Sequence, residues 1–301
     1  MTGRPDTLTN PRAERVRTVR ALSGRPARLR HGQFLVEGPQ GVRELVRHRR
    51  GQVRDLYLTE DAARRHPEIV DDAAGLHLYL ATAEVLAAMS PDAQGVLAVA
   101  RALDPAPTVG DLVTGEQPRL VALLVRAADP GNAGTVIRAA DAAGADAVVL
   151  GRGSVEVHNP KVVRATAGSL FHLPVVPGAD VEAAVAALRG AGLQVLAADG
   201  AGEWDLDELA DRAAAEAYGC SPWEADELSA TGLVAPDLAA PTVWLLGNEA
   251  HGLTDTERGL CDAGVRVPIH GRAESLNVAT AATVCLYASA RAQRRTRAPH
   301  A

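Results

Sequence analysis

Between residues 120 and 269 the sequence repeats one arrangement: a short apolar run, a turn, a helical stretch, then another apolar run. Strands fit at 120–125 (LVALLV), 146–150 (DAVVL), 173–176 (LPVV), 193–197 (LQVLA), 242–246 (TVWLL) and 265–269 (VRVPI). Helical stretches lie at 132–143, 180–190 and 254–262. Strands that are apolar on both faces need cover on both sides, and helical crossovers between them make the sheet largely parallel. The fold class is therefore α/β. Ligands of such sheets bind beyond the carboxyl ends of the strands, so chemistry is expected in the loops there.

A chain of 301 residues that is 47% hydrophobic can bury two cores. Residues 11–100 read as a smaller α/β unit. "NPRAERVRTVRAL" is helical, with Val16, Val19 and Leu22 in step; "QFLVEG", "VRDLYL", "LHLYL" and "GVLAVA" read as strands, and "PQGVRELVRH" as a helix. A stretch rich in Pro, Gly and Thr follows, "LDPAPTVGDLVTGEQP". The expected division is a small domain at 1–104, a linker at 105–118 and a larger domain at 119–301. No run of 18 apolar residues occurs and the start of the chain has no apolar signal core, so a soluble, cytoplasmic protein without membrane attachment is expected. Cys220, Cys261 and Cys285 show no paired spacing, and His158, His251 and His270 form no metal-ligand pattern; no metal is expected.

Net charge is −6, which by itself argues against a polyanionic partner. Its distribution argues the other way. Residues 1–50 hold twelve Arg against Asp6, Glu14, Glu37 and Glu44, so this segment carries about +8 and the remainder about −14. A concentrated Arg field suits phosphate contact, with Arg28 and Arg30 among the candidates; a merely solvated arm is the plainer alternative.

Three strand exits are unusual. In "RAADPGNAGTVIRAADAAGADAVVL" a Pro-Gly turn precedes Asn132, placed where a helix N-cap could stand, and Arg138 follows on the helix. An Arg138–Asp141 pair is the plain structural alternative. In "VWLLGNEAHGL" the strand runs straight into Gly247, Asn248 and Glu249, polar groups that need partners at a buried strand end. In "VPIHGRAESLNVATAATVCLY" a strand breaks at Pro268, passes Ser275 and Asn277, and enters a helix of small apolar residues that reads as buried core.

Taken in order, NxGxxxR, LGNExxGL and PIxGxxxSLNVxxA resemble the SPOUT superfamily of RNA methyltransferases, and within it the SpoU/TrmH branch of ribose 2′-O-methyltransferases. The resemblance is close over about 119–296. The segment "NPRAERVRTVRALSGRPARLRHGQFLVEGPQGVREL" resembles the substrate-binding domain often fused to that branch. The resemblance implies a C-terminal trefoil knot, contrary to the general avoidance of knots, in which the second and third loops form a pocket for S-adenosylmethionine. By matching motif positions, Leu246, Gly247, Asn248, Val267, Ile269 and Leu276 would line it. A neutral adenine edge suits amides and apolar walls, and the phosphate-binding glycine fingerprint of nucleotide dehydrogenases is absent.

Family resemblance also makes Arg138 the residue that activates the ribose hydroxyl, with Asn132, Glu249, Ser275 and Asn277 positioning it and the substrate. A guanidinium normally stays protonated. Either Arg138 takes the proton nonetheless, or it clamps the adjacent phosphate and lowers the hydroxyl pKa while a phosphate oxygen or water accepts; the sequence leaves both open. Lys161, the chain's only lysine, and Arg164 in "HNPKVVRATAGSLFHLPVV" are further candidates for RNA phosphate. The expected substrate is RNA, foremost 23S ribosomal RNA, and the expected assembly a homodimer. A tRNA-directed enzyme and a non-catalytic RNA-binding relative are the alternatives. Residues 201–240 depart from the family pattern as an acidic insertion with ten acids and the single base Arg212; a peripheral helical excursion away from the substrate is expected.

Overall fold

The computed structural model describes residues 7–115, 117–220, 234–248 and 251–297, except for the side chains of 296 and 297. The chain forms two compact units, one of Met1–Ala106 with Glu156–His172 and one of Pro107–Val155 with Leu173–Ala301.

The first unit is built on a four-stranded sheet in the order β1 (Gln33–Glu37), β4 (Val96–Arg101), β2 (Val53–Leu58), β3 (Leu78–Leu80). Its first three strands are antiparallel neighbours and β3 runs parallel to β2. The period of two sorts the apolar residues onto two faces. Phe34, Val36, Leu56 and Leu58 pack with Val42, Leu45 and Val46 of α3 (Pro39–His48). Leu35, Tyr57, Leu97 and Val99 pack with Val16 and Val19 of α1 (Glu14–Ala21) and with Val85, Leu86 and Met89 of α6 (Ala83–Met89). The later segment Glu156–His172 joins this unit through Val163 of α9 (Pro160–Ala165) and Phe171, which enter the α3 core.

The second unit holds a seven-stranded sheet in which every pairing is parallel. Its order is β7 (Val175–Ala179), β6 (Ala147–Gly151), β5 (Leu120–Leu124), β10 (Thr242–Leu246), β8 (Gln194–Ala198), β11 (Ala263–Arg266), β9 (Trp204–Asp205). The strand order doubles back around β10, which lies between β5 and β8. Alternate residues again divide the layers: Val121, Leu123, Val195, Val243 and Leu245 share a core with α10 (Val181–Gly190). The other face meets α8 (Pro130–Ala143) and α13 (Val278–Arg297), where Trp244 Nε1 donates to Ser289 Oγ at 3.0 Å with both residues fully buried.

Three elements differ from expectation. The stretch read as a linker contains α7 (Val109–Thr114), started by a capping box in which Thr108 and Asp111 satisfy each other's backbone amides. The strand expected at 265–269 ends at Arg266, because Pro268 has no N–H to continue a ladder. The acidic insertion is not simply peripheral. It contributes β9 to the sheet edge and α11 (Leu206–Ala217), which packs on α13; residues 221–233 of the insertion lie outside the described residues.

Candidate active site

The doubling-back of strand order puts the carboxyl ends of β8, β10 and β11 side by side, which is where a parallel sheet opens a crevice. A cleft of about 550 Å³ lies there, within the range of small-molecule sites. Leu246, Gly247, Asn248, Val267, Ile269 and Leu276, the six positions expected to line a pocket, all border it. Ile269 and Leu276 stand 38% and 36% exposed, open apolar walls rather than buried core.

Side-chain amides tie the β10 exit and the loop after β11 to the neighbouring β5 exit. On the β5 exit, Asp129 caps α8 by accepting the Asn132 amide at 2.7 Å, with Pro130 in the first turn. Asp129, not Asn132, is therefore the cap. The Asn132 side chain instead accepts from Asn277 Nδ2 at 2.9 Å. Asn277 itself opens α13: its Oδ1 accepts the Ala279 amide at 2.8 Å and its carbonyl the Ala281 amide at 2.9 Å. Asn248 donates through Nδ2 to the Arg126 carbonyl at 2.8 Å, joining the β10 exit to the β5 exit. Gly247 permits this turn because a Cβ there would meet the Gly252 carbonyl carbon at 2.5 Å.

Arg126 holds the left-handed conformation, φ +50°, which an L residue with a side chain adopts at a cost. Its guanidinium is paired in bidentate fashion with Glu257, whose Oε2 also accepts the Thr254 amide at 2.8 Å in the capping box of α12 (Asp255–Arg258). Asp199, at the β8 exit, pairs with Arg258. Burial disfavours its charge, but Arg258 and the Ala201 amide outweigh that and hold the carboxyl below its usual range. Sequence reasoning passed over Arg126, Glu257 and the β8 exit at Ala198, Asp199 and Gly200, which also borders the cleft. The strand-exit argument that singled out three loops applies equally to this fourth one.

The remaining expected residues are dispersed. Ser275 borders the cleft. Arg138 is exposed on α8 between buried neighbours and does not border it. Glu249 lies outside the described residues. In the first unit, Arg30 and Lys161 are exposed, and Arg12, Arg15, Arg17, Arg20 and Arg25 extend that basic surface along α1 and α2 (Arg25–His31). Arg28 contradicts its expected role. It is 5% exposed, with Nε and Nη2 on Glu156 at 2.9 and 2.7 Å and Nη1 on the Leu22 and Ser23 carbonyls at 3.0 and 2.7 Å. Such a buried fork holds the chain together and offers nothing to phosphate. Arg164 is already paired where it stands with two carboxylates, Glu37 at 2.6 Å and Asp92 at 2.8 Å, which more than neutralise it.

Among the described residues one group of potential metal ligands comes together, Glu44, His48 and His172 in the first unit. Both imidazole Nε2 atoms face Glu44 Oε2, at 3.3 and 3.2 Å, and Arg43 holds the other carboxylate oxygen at 2.9 Å. A shared carboxylate accounts for this spacing without an ion. Burial raises the cost of the Glu44 charge, yet Arg43 and His172 keep its carboxyl below the usual range.

Residues 119–287 match the model of the SpoU rRNA Methylase family, and residues 13–98 that of the MRM3-like substrate binding domain. The chain is 33% identical to the 23S rRNA (uridine(2479)-2′-O)-methyltransferase of Streptomyces viridochromogenes, over 90% of this chain and 86% of that protein. It is 29% identical to the 23S rRNA (guanosine(2553)-2′-O)-methyltransferase RlmP of Bacillus subtilis, over 93% and 97%. Among solved structures it is similar to the SpoU methyltransferase AviRb of S. viridochromogenes in complex with the cofactor AdoMet, at a TM-score of 0.73 and 30% identity, covering 95% of this chain and 100% of that one.

Proposed function

Because this chain belongs to the SpoU rRNA methylase family, we propose that it methylates a ribose 2′-hydroxyl of 23S ribosomal RNA with S-adenosylmethionine as donor, bound in the cleft at the β8, β10 and β11 exits. One observation carries this reading: the exits of β8, β10 and β11 border a single crevice, and the Asn248–Arg126 and Asn277–Asn132 hydrogen bonds tie its β10 and β11 sides to the adjacent β5 exit. The backbone and apolar walls at Leu246, Gly247, Val267, Ile269 and Leu276 suit the adenine, with Asn248 fixing the turn beside them.

When bound, the cofactor supplies an electrophilic methyl group on a sulfonium, so the protein's work is alignment and assistance in removing the hydroxyl proton. Asn132, Asn277 and Ser275 position the ribose at the cleft mouth; Glu249 joins them in this reading. Arg138 meets the RNA rather than the cofactor, in keeping with its exposure outside the cleft lining. There its guanidinium clamps the neighbouring phosphate and favours the ionised hydroxyl, while a phosphate oxygen or water takes the proton. Arg30 and Lys161, with the exposed arginines of α1 and α2, contact the RNA backbone. The reading includes a cytoplasmic homodimer and a threaded C-terminal path; Val284 and Tyr287, 38% and 48% exposed on α13, are apolar surface a second copy would cover.

Calorimetric titration and a methyl-transfer assay on the same variants test it. The wild type binds S-adenosylmethionine. Leu276→Arg abolishes binding. Arg138→Ala binds within about twofold of wild type but transfers no methyl group, a loss of at least roughly 100-fold. Cofactor affinity untouched by Leu276→Arg, or turnover retained by Arg138→Ala, contradicts the assignment.

A further inference from the structure

The cleft loop 267–277 is anchored at its start by the acidic insertion. At its start, β9 pairs with β11 in register, Trp204 beside Val265 and Asp205 beside Arg266. The approach is so close that a Cβ on Gly202 would meet the Gly264 carbonyl carbon and the Val265 nitrogen at 2.6 Å. Glu203 Oε1 accepts the Gly264 amide at 2.9 Å. Arg266 Nη1 donates to the Gly202 and Glu203 carbonyls at 3.1 and 3.2 Å, and its Nη2 lies 3.3 Å from Asp205. The insertion's α11 also packs on α13, with Leu206 and Ala210 near Val284 and Tyr287, well past the helix's first turn. Within the loop, His270 Nε2 lies 3.8 Å from Asp207 of α11. Just before the insertion, Asp199 stands on the cleft border and donates its amide to the Val265 carbonyl at 3.0 Å.

We propose that residues 199–217 form a frame that sets the position of the cofactor wall at Val267–Ile269, and that Arg266 is the positioning residue through which it acts. Arg266 is the last residue of β11, so its fork fixes the direction in which the chain leaves the sheet toward Val267. Three contacts on the insertion's backbone and carboxylate restrain that exit more narrowly than the strand ladder alone. The acidity of the segment has a local use here, since Glu203 and Asp205 receive an amide and a guanidinium from the cofactor strand. This inference rests on the assignment of the cleft to S-adenosylmethionine.

The test measures S-adenosylmethionine affinity by calorimetry, with steady-state kinetics alongside, for Arg266→Met, Gly202→Val and the double variant Glu203→Ala/Asp205→Ala. The expected result is a Kd at least tenfold higher in each, about 1.4 kcal/mol. KM for the cofactor rises with it, whereas kcat at saturating cofactor and KM for RNA stay within about twofold. A general loss of structure would instead lower kcat and RNA affinity together. If Gly202→Val does not fold, the double variant, which removes the exposed Glu203 and the half-buried Asp205 carboxylates, carries the comparison. Because Arg266 itself borders the cleft, weakened binding in Arg266→Met alone would show direct contact and overturn the frame. Wild-type affinity in all three would also overturn it. Leu276→Arg separates the two levels: if it abolishes binding while the frame variants bind normally, only the frame fails; if it binds normally, the cleft assignment fails first.

Discussion

Asn277 divides its side-chain amide between two tasks, with Oδ1 holding the first turn of α13 and Nδ2 reaching Asn132 on the β5 exit. A helix start left without partners would expose several orphan amides, and a polar side chain at the helix mouth is the direct remedy. The pairing explains why Ser, Asn and bare backbone precede a helix of small residues, and the identities of both asparagines were legible in the sequence. Their contact was not, because 145 residues separate them. Nor was the fate of Arg28, since a local run of arginines does not reveal that Glu156 folds back onto one of them. His158 adds a testable consequence. It stacks on Phe34, ring centroids 4.2 Å apart, and burial, which outweighs Glu156, pushes its pKa down to about 4 from 6.5. A depressed histidine contributes stability above its unfolded pKa, and loses that contribution as pH falls through the folded value. Acidification from pH 6.5 to 4 should therefore destabilise the protein by on the order of 2–3 kcal/mol through this group. His158→Phe, which keeps the stack, should flatten that part of the pH profile in urea unfolding. An unchanged profile would assign the acid sensitivity elsewhere.

At the level of elements, strands bounded by strong apolar runs were legible: the runs at 53–58 and 242–246 coincide with β2 and β10. Errors arose where a local signal masked another. Pro and Gly in 105–118 hid the capping box that starts α7, and the apolar residues of 267–269 read as strand although Pro268 turns them into cleft wall. α13 is likewise half of what its composition suggests. Ala279, Ala282, Cys285, Leu286 and Ser289 form a buried stripe, while Val284, Tyr287 and Arg291 face outward. The stripe meets the sheet through the buried Trp244–Ser289 hydrogen bond. Ser289→Ala should orphan the indole N–H and cost about 1–3 kcal/mol, lowering Tm by roughly 2–10 °C. Thermal denaturation checks this, and a Tm equal to wild type would show that the indole finds another acceptor.

For the molecule as a whole, alternation of strands and helices was enough to establish a parallel sheet, and the order of three motifs was enough to establish the family. Two features could not be read linearly. Residues 156–172 belong to the compact unit of the N-terminal segment, a grouping made by packing of Val163 and Phe171 rather than by chain order. The acidic insertion proved part of the seven-stranded sheet because β9 finds β11, a pairing two residues long that no periodicity announces. Charge segregation also acquires a structural sense: exposed arginines cover α1 and α2, while Glu203 and Asp205 serve the sheet edge beside the cleft. The most direct test of the whole account is transfer of a radiolabelled methyl group from S-adenosylmethionine to 23S ribosomal RNA, with the product mapped to the nucleotide. Label on the ribose 2′-oxygen of a defined nucleotide is the predicted result. No transfer to ribosomal RNA, or label on a base, would contradict it.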